Sequence, residues 1–139
     1  MYIFDEMLSA QATFAMYVTD VRQALTYYTD TLGFRTITDR TDDEIPFATA
    51  ALPGATWRFV FIQPNTHGDE LAERFRAEIG FAPHFLLTTE NLQAEVKRLE
   101  SKGVEFTDRP TLQANGTIQA HFKDLYGNII TLMSADAMF

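Results

Sequence analysis

Thr13-Phe-Ala-Met-Tyr-Val-Thr-Asp-Val-Arg-Gln-Ala-Leu-Thr-Tyr-Tyr-Thr-Asp-Thr-Leu-Gly-Phe34 reads in order as an apolar strand, a polar cap, an amphipathic helix, a glycine stop and a new strand. Asp20 is placed to cap the helix, and Gln23 three residues on completes a capping box. Val21, Ala24, Leu25, Tyr28 and Leu32 recur at helical spacing and give one apolar face. Such positions are read as core. Gly33 stops the helix, because glycine takes the left-handed C′ conformation without a Cβ clash.

The same order returns further on. His84-Phe-Leu-Leu-Thr-Thr-Glu-Asn-Leu-Gln-Ala-Glu-Val-Lys-Arg-Leu99 is an apolar strand, a cap at Asn91 and a helix with Leu92, Val96 and Leu99 on one face. Gly103-Val-Glu-Phe106 then supplies the stop and the next strand. Repetition at this scale defines the architecture.

Three strands are expected after each helix. In the first half they fall near 34–40, 46–52 and 56–63, separated by Asp42-Asp43-Glu44 and by the Pro53-Gly54 turn. In the second they fall near 104–107, 117–123 and 129–134, with Asn115-Gly116 and Tyr126-Gly127-Asn128 as the turns. Between the halves, 69–79 reads as a short helix ending at Gly80. The expectation is one α+β domain over 1–139, made of two tandem βαβββ modules at 12–63 and 83–134, joined by a linker at 64–82. Two curved mixed sheets of this kind enclose a cup.

Composition narrows the function. At 139 residues, 46% of them hydrophobic, the chain can bury a real core. No apolar run approaches the roughly 20 residues that span a bilayer. The N-terminal Met1-Tyr-Ile-Phe-Asp-Glu6 has acids where a signal peptide needs bases, so a cytoplasmic location is expected. There is no cysteine, hence no disulfide, thiolate nucleophile or Cys-based zinc site. Nineteen acids against eleven bases give a net charge of −8, which disfavours a phosphate-tracking nucleic-acid surface and attracts cationic partners. Acidity of that size also simply keeps a protein soluble.

Three motifs carry a resemblance: Tyr27-Tyr-Thr-Asp-Thr-Leu-Gly-Phe34, Leu99 with Gly103-Val-Glu-Phe106, and Phe122-Lys-Asp-Leu-Tyr-Gly-Asn-Ile-Ile-Thr-Leu132. In this order and spacing the chain resembles the vicinal oxygen chelate superfamily of glyoxalase I, extradiol dioxygenases and bleomycin-resistance proteins. The resemblance implies paired βαβββ modules, a cup and a homodimer. It also implies a divalent metal held by His, Glu or Gln at four strand positions, acting as a Lewis acid on the substrate.

Those positions can be tried one at a time. The family's first ligand lies seven residues before the helix cap, which is Thr13 in the first copy and His84 in the second. The ligand on the last strand follows the glycine of the Asp-x-x-Gly turn by four residues, which is Thr131. The strand 56–63 offers Phe59, Val60, Phe61 and Ile62, which have no coordinating atom. Only His84 is of the ligand type, and a catalytic site takes about three protein ligands. No metal and no other cofactor is therefore expected at the family position. A relocated site using His84 and His121 is the alternative, with His67 in the inter-module loop and no carboxylate evident on a neighbouring strand.

Strand alternation groups Thr13, Ala15 and Tyr17 on one face, His84, Leu86 and Thr88 on another, and Ile129, Thr131 and Met133 on a third. Anchored to the family's ligand positions, these faces line the cup, with His121 a further candidate and Arg58 joining if its strand is in register. Such a lining suits a small, partly apolar organic ligand. The leading expectation is a metal-independent binding protein, as in resistance by sequestration of bleomycin-type cationic ligands. The alternative is a lyase, isomerase or dioxygenase-type enzyme with a rearranged metal site or with His84 as acid or base. A cup filled by the chain's own side chains is the third reading, given twelve phenylalanines.

Overall fold

A computed structural model of the chain describes Leu8, residues 11–64 and residues 70–135. The described residues divide into two compact units, 11–16 with 20–63 and 17–19 with 64 and 70–135.

The first unit carries β1 (Ala12–Tyr17), α1 (Val21–Thr26), β2 (Arg35–Arg40), β3 (Phe47–Ala51) and β4 (Trp57–Ile62). Asp20 caps α1 as expected, its Oδ1 accepting from the Gln23 N–H at 3.0 Å. The helix does not run on as a plain α-helix to Gly33. Tyr27–Thr31 forms a π turn, in which the Leu32 N–H reaches the Tyr27 carbonyl at 3.3 Å. Within this turn the Thr29 hydroxyl donates to the Leu25 carbonyl at 2.9 Å, a side-chain bond back to the preceding turn. The wide turn still delivers Tyr28 to the core. Its ring lies 5.3 Å from Phe34, 5.9 Å from Phe59 and 5.1 Å from Phe61. Each such pair adds about 1 kcal/mol beyond the area it buries.

The sheet order is β1-β4-β3-β2, and α1 packs on β3 and β4. Ala48 and Ala50 are fully buried beside Phe61 and Phe59, their partners across the β3–β4 ladder. Small residues on one strand thus make room for the aromatic cluster on the next.

The second unit carries α2 (Glu70–Ala77), β5 (Phe85–Thr89), α3 (Leu92–Ser101), β6 (Phe106–Leu112), β7 (Ile118–Lys123) and β8 (Ile129–Ser134). Asn91 caps α3 through its Oδ1, which accepts from the Ala94 N–H at 3.0 Å. The order β5-β8-β7-β6 repeats the first sheet, with β5 and β8 parallel and the other pairs antiparallel. The architecture is thus α+β with two four-stranded sheets. None of the described helices is long and apolar enough to cross a membrane.

One strand departs from expectation. β6 runs to Leu112, well past 107 and through Pro110. An edge strand tolerates proline because one row of its N–H groups has no ladder partner to lose, and β6 is an edge. Its pairing with β7 slips twice, between Phe106 and Asp108 and between Asp108 and Thr111.

The turn before β8 is tightly organised. Asp124 is buried, and its carboxylate accepts from the Tyr126 N–H at 2.9 Å, the Asn128 N–H at 2.9 Å and the Asn128 side-chain amide at 3.0 Å. Gly80, at φ +81°, passes so close to this turn that a Cβ there would stand 2.0 Å from the Tyr126 carbonyl oxygen.

Candidate functional site

In the second unit, Ala120, Phe122, Ile130 and Leu132 are buried on the side of the sheet covered by α3. Alternation sends the residues between them to the opposite face, which is exposed at Leu86, Thr88, Lys123 and Ile129 and buried at Met133. Strand register arranges that face in rows. Leu86, Thr131, His121 and Asp108 are successive partners across β5, β8, β7 and β6. Thr88, Met133, Gln119 and Thr111 form the next row in the same way. At the other end Ile129 pairs with Lys123 across β8 and β7, and His84 stands just before β5. Five of the candidates, His84, Thr88, His121, Thr131 and Met133, thus share one sheet face.

His84 is bound to its neighbour in this face. The backbone N–H of Ile129 donates to His84 Nδ1 at 3.0 Å. An imidazole nitrogen accepts only through its lone pair, so with Nδ1 accepting from Ile129 the ring proton sits on Nε2. Neither nitrogen then has a lone pair to offer a metal. A ligating histidine shows the reverse arrangement, with one nitrogen on the metal and the other donating outward.

The remaining positions add nothing for a metal. Thr131 stands in the middle row, flanked by Leu86 and His121. In the first unit, Phe59 and Phe61 are buried toward α1, so Arg58, Val60 and Ile62 take the opposite face. The register of this strand is thereby settled for Arg58, which turns away from the aromatic core. Thr13 lies on β1 opposite the fully buried Met16. Among the described residues no three His, Asp or Glu side chains come together as a metal site. The donor set does not fit the family's divalent ion.

The relocated site needs one correction. A carboxylate does stand beside His121 on the neighbouring strand: Asp108 Oδ2 is 3.5 Å from His121 Nδ1. The pair makes no hydrogen bond, and His121 Nδ1 is buried without a partner. His67 lies outside the described residues.

Tyr17 stacks on Phe75 of α2, with ring centroids 4.4 Å apart and planes 10° from parallel. Its hydroxyl is pushed above the ordinary tyrosine pKa, first by loss of water around it and second by the nearby Glu78 carboxylate. Arg58 and Thr13 lie in the first unit, on the faces just described.

Two open-face residues were not singled out from sequence, Gln119 and Lys123. Both alternate with His121 along β7, a signal that was available. Gln119 Nε2 donates to Thr117 Oγ1 at 2.9 Å and approaches Met133 Sδ at 3.8 Å, which fixes its side chain across the face.

Comparison with known proteins places the chain. The family model of the Glyoxalase/Bleomycin resistance protein/Dioxygenase superfamily matches residues 10–132. An uncharacterized protein of Bacillus subtilis (strain 168), YurT, is 30% identical over 122 residues, covering 86% of this chain and 94% of that one. Among solved structures, a superfamily member from Sphaerobacter thermophilus DSM 20745 is 26% identical with a TM-score of 0.70, over 92% of this chain and 98% of that one. TnmS3, an antibiotic binding protein from Streptomyces sp. CB03234, is 26% identical with a TM-score of 0.72, over 92% and 97% of the two chains. With its paired four-stranded sheets, this chain belongs to the glyoxalase/bleomycin resistance protein/dioxygenase superfamily.

Proposed function

We propose that this protein binds a small, partly apolar organic molecule without a metal or other cofactor, and that it sequesters an antibiotic-like compound in the cytoplasm as a homodimer. The observation that carries the reading is the Ile129 N–H bond to His84 Nδ1, which occupies the single family-type ligand. Where the superfamily's enzymes need metal donors, the chain has Thr13, Thr131 and the face of Arg58, Val60 and Ile62. The open face of the second sheet mixes aliphatic surface with hydroxyl, amide and imidazole groups. That mixture suits orientation of an organic ligand by a few polar contacts. The likeness to an antibiotic binding protein supports the same reading.

The test is a thermal-shift screen of cationic glycopeptides, mitomycin-like quinones and α-ketoaldehyde adducts, each with chelator and with added divalent metal. Stabilisation in chelator by at least one compound is expected, since a ligand specific to the native state raises its stability by mass action. Turnover of an α-ketoaldehyde adduct that appears only with metal would contradict the proposal.

A further inference from the structure

The end of the open face beside the Asp124 turn has a chemistry of its own. His84, Ile129 and Lys123 lie side by side on three adjacent strand positions. The Ile129 N–H fixes the His84 ring with its proton on Nε2, so this nitrogen is a donor. Lys123 is an exposed ammonium that shares no ion pair within 4.0 Å among the described residues. Strands about 4.8 Å apart set the two donors roughly 10 Å from each other at the backbone, a span that one small ligand can bridge. Between and beside them Ile129 is 39% exposed and Leu86 42% exposed, leaving apolar surface in water next to two donors. Two carboxylates lie along the edge side of this face: Asp108 on β6 beside His121, and Glu105 just before β6. Glu105 is one register step beyond the Phe106–Phe122 pair and so next to Lys123, though no ion pair within 4.0 Å joins them among the described residues.

We propose that this corner of the second sheet binds an organic anion, its charged oxygen held between His84 Nε2–H and the Lys123 ammonium and its apolar body laid on Ile129 and Leu86. The inference rests on the metal-independent binding proposed above and names the class of ligand. It runs against the cationic ligand suggested by the net charge of −8. Charges spread over the surface are screened beyond about 8 Å at physiological salt, whereas a donor in contact with the ligand is not. Local donors therefore decide which ligand is held.

The experiment titrates three probes of one shape, naphthoate, naphthamide and naphthylmethylammonium, into the full chain in chelator, following the amide signals of Ile129 and Leu86. Naphthoate is expected to bind at least about tenfold more tightly than the cation, in line with the strength of charge-assisted hydrogen bonds, and to weaken with salt. Lys123→Met, an exposed change that leaves the core intact, should weaken naphthoate by roughly three- to tenfold and naphthamide hardly at all. His84→Phe should weaken both acceptor-bearing probes. Equal binding of all three probes, tighter binding of the cation, or indifference of naphthoate to Lys123→Met would overturn the inference while leaving metal-independent binding standing. Naphthoate binding that appears only with added divalent metal would overturn both.

Discussion

The backbone N–H of Ile129 points at His84 Nδ1 from 3.0 Å, and this bond ties the start of β5 to the start of β8. It turns a residue of the family's ligand type into a fixed hydrogen-bond donor. The tautomer is directly observable: the nitrogen shifts of His84 should report a bare Nδ1 and a protonated Nε2. Because the residue is exposed and water can replace the imidazole, His84→Ala should cost about 1 kcal/mol in urea unfolding and leave the fold intact. A variant that fails to fold would make the histidine chiefly structural.

Asp124 should matter far more to stability. Its buried carboxylate accepts three hydrogen bonds from Tyr126 and Asn128, and no water can replace it easily. Asp124→Ala should cost about 2–4 kcal/mol by chemical denaturation. Asp124→Asn should cost less but still destabilise, because an amide presents a donor to groups that are themselves donors. A neutral effect of Asp124→Ala would show that the turn holds without its carboxylate.

Gly80 couples the segment after α2 to the same turn. An alanine Cβ would meet the Tyr126 carbonyl oxygen at 2.0 Å, at a φ of +81° that already disfavours a side chain. Gly80→Ala should therefore lower stability by at least about 2 kcal/mol, part from the left-handed backbone and part from the displaced turn. Gly54→Ala offers the control. It has a similar φ of +81° with nothing within 4 Å, so it should report the backbone part alone.

Tyr17 gives a pH signature. Its folded-state pKa lies above the unfolded value of about 10, so the fold favours the neutral phenol. That contribution is fully present below the unfolded pKa and is lost as pH rises through the folded one. Ultraviolet titration of the wild type against Tyr17→Phe should isolate a late-titrating phenol. Glu78→Gln should bring it partway down and no further, since loss of water around the hydroxyl is the larger cause. A Tyr17 that titrates with the unfolded chain would contradict this.

Much of the fold was legible because its signals are local. The caps at Asp20 and Asn91 and the strands after α1 fall within a residue of their sequence positions, since capping and alternation are read over a few residues. β6 runs past 107 because its place at the sheet edge permits Pro110, and edge position is set by tertiary pairing that no local pattern gives. The π turn at Tyr27–Thr31 keeps Tyr28 on the apolar face, so helical spacing in the sequence does not reveal it. For the site, alternation found the grouping of His84 with Thr88 and of Thr131 with Met133. It left Arg58 open, because the face of a strand is fixed by the aromatic residues it buries. The His84–Ile129 bond joins residues 45 apart in the chain, and no local pattern announces it.

The proposed binding mode dispenses with the superfamily's divalent metal. Calorimetric titration of nickel, zinc and iron(II) into chelator-treated protein, with the His84 ring signals followed in parallel, tests it most directly. No stoichiometric binding and an unmoved His84 ring are expected. One equivalent bound, with the Ile129–His84 hydrogen bond lost and the ring nitrogen on the metal, would contradict that mode.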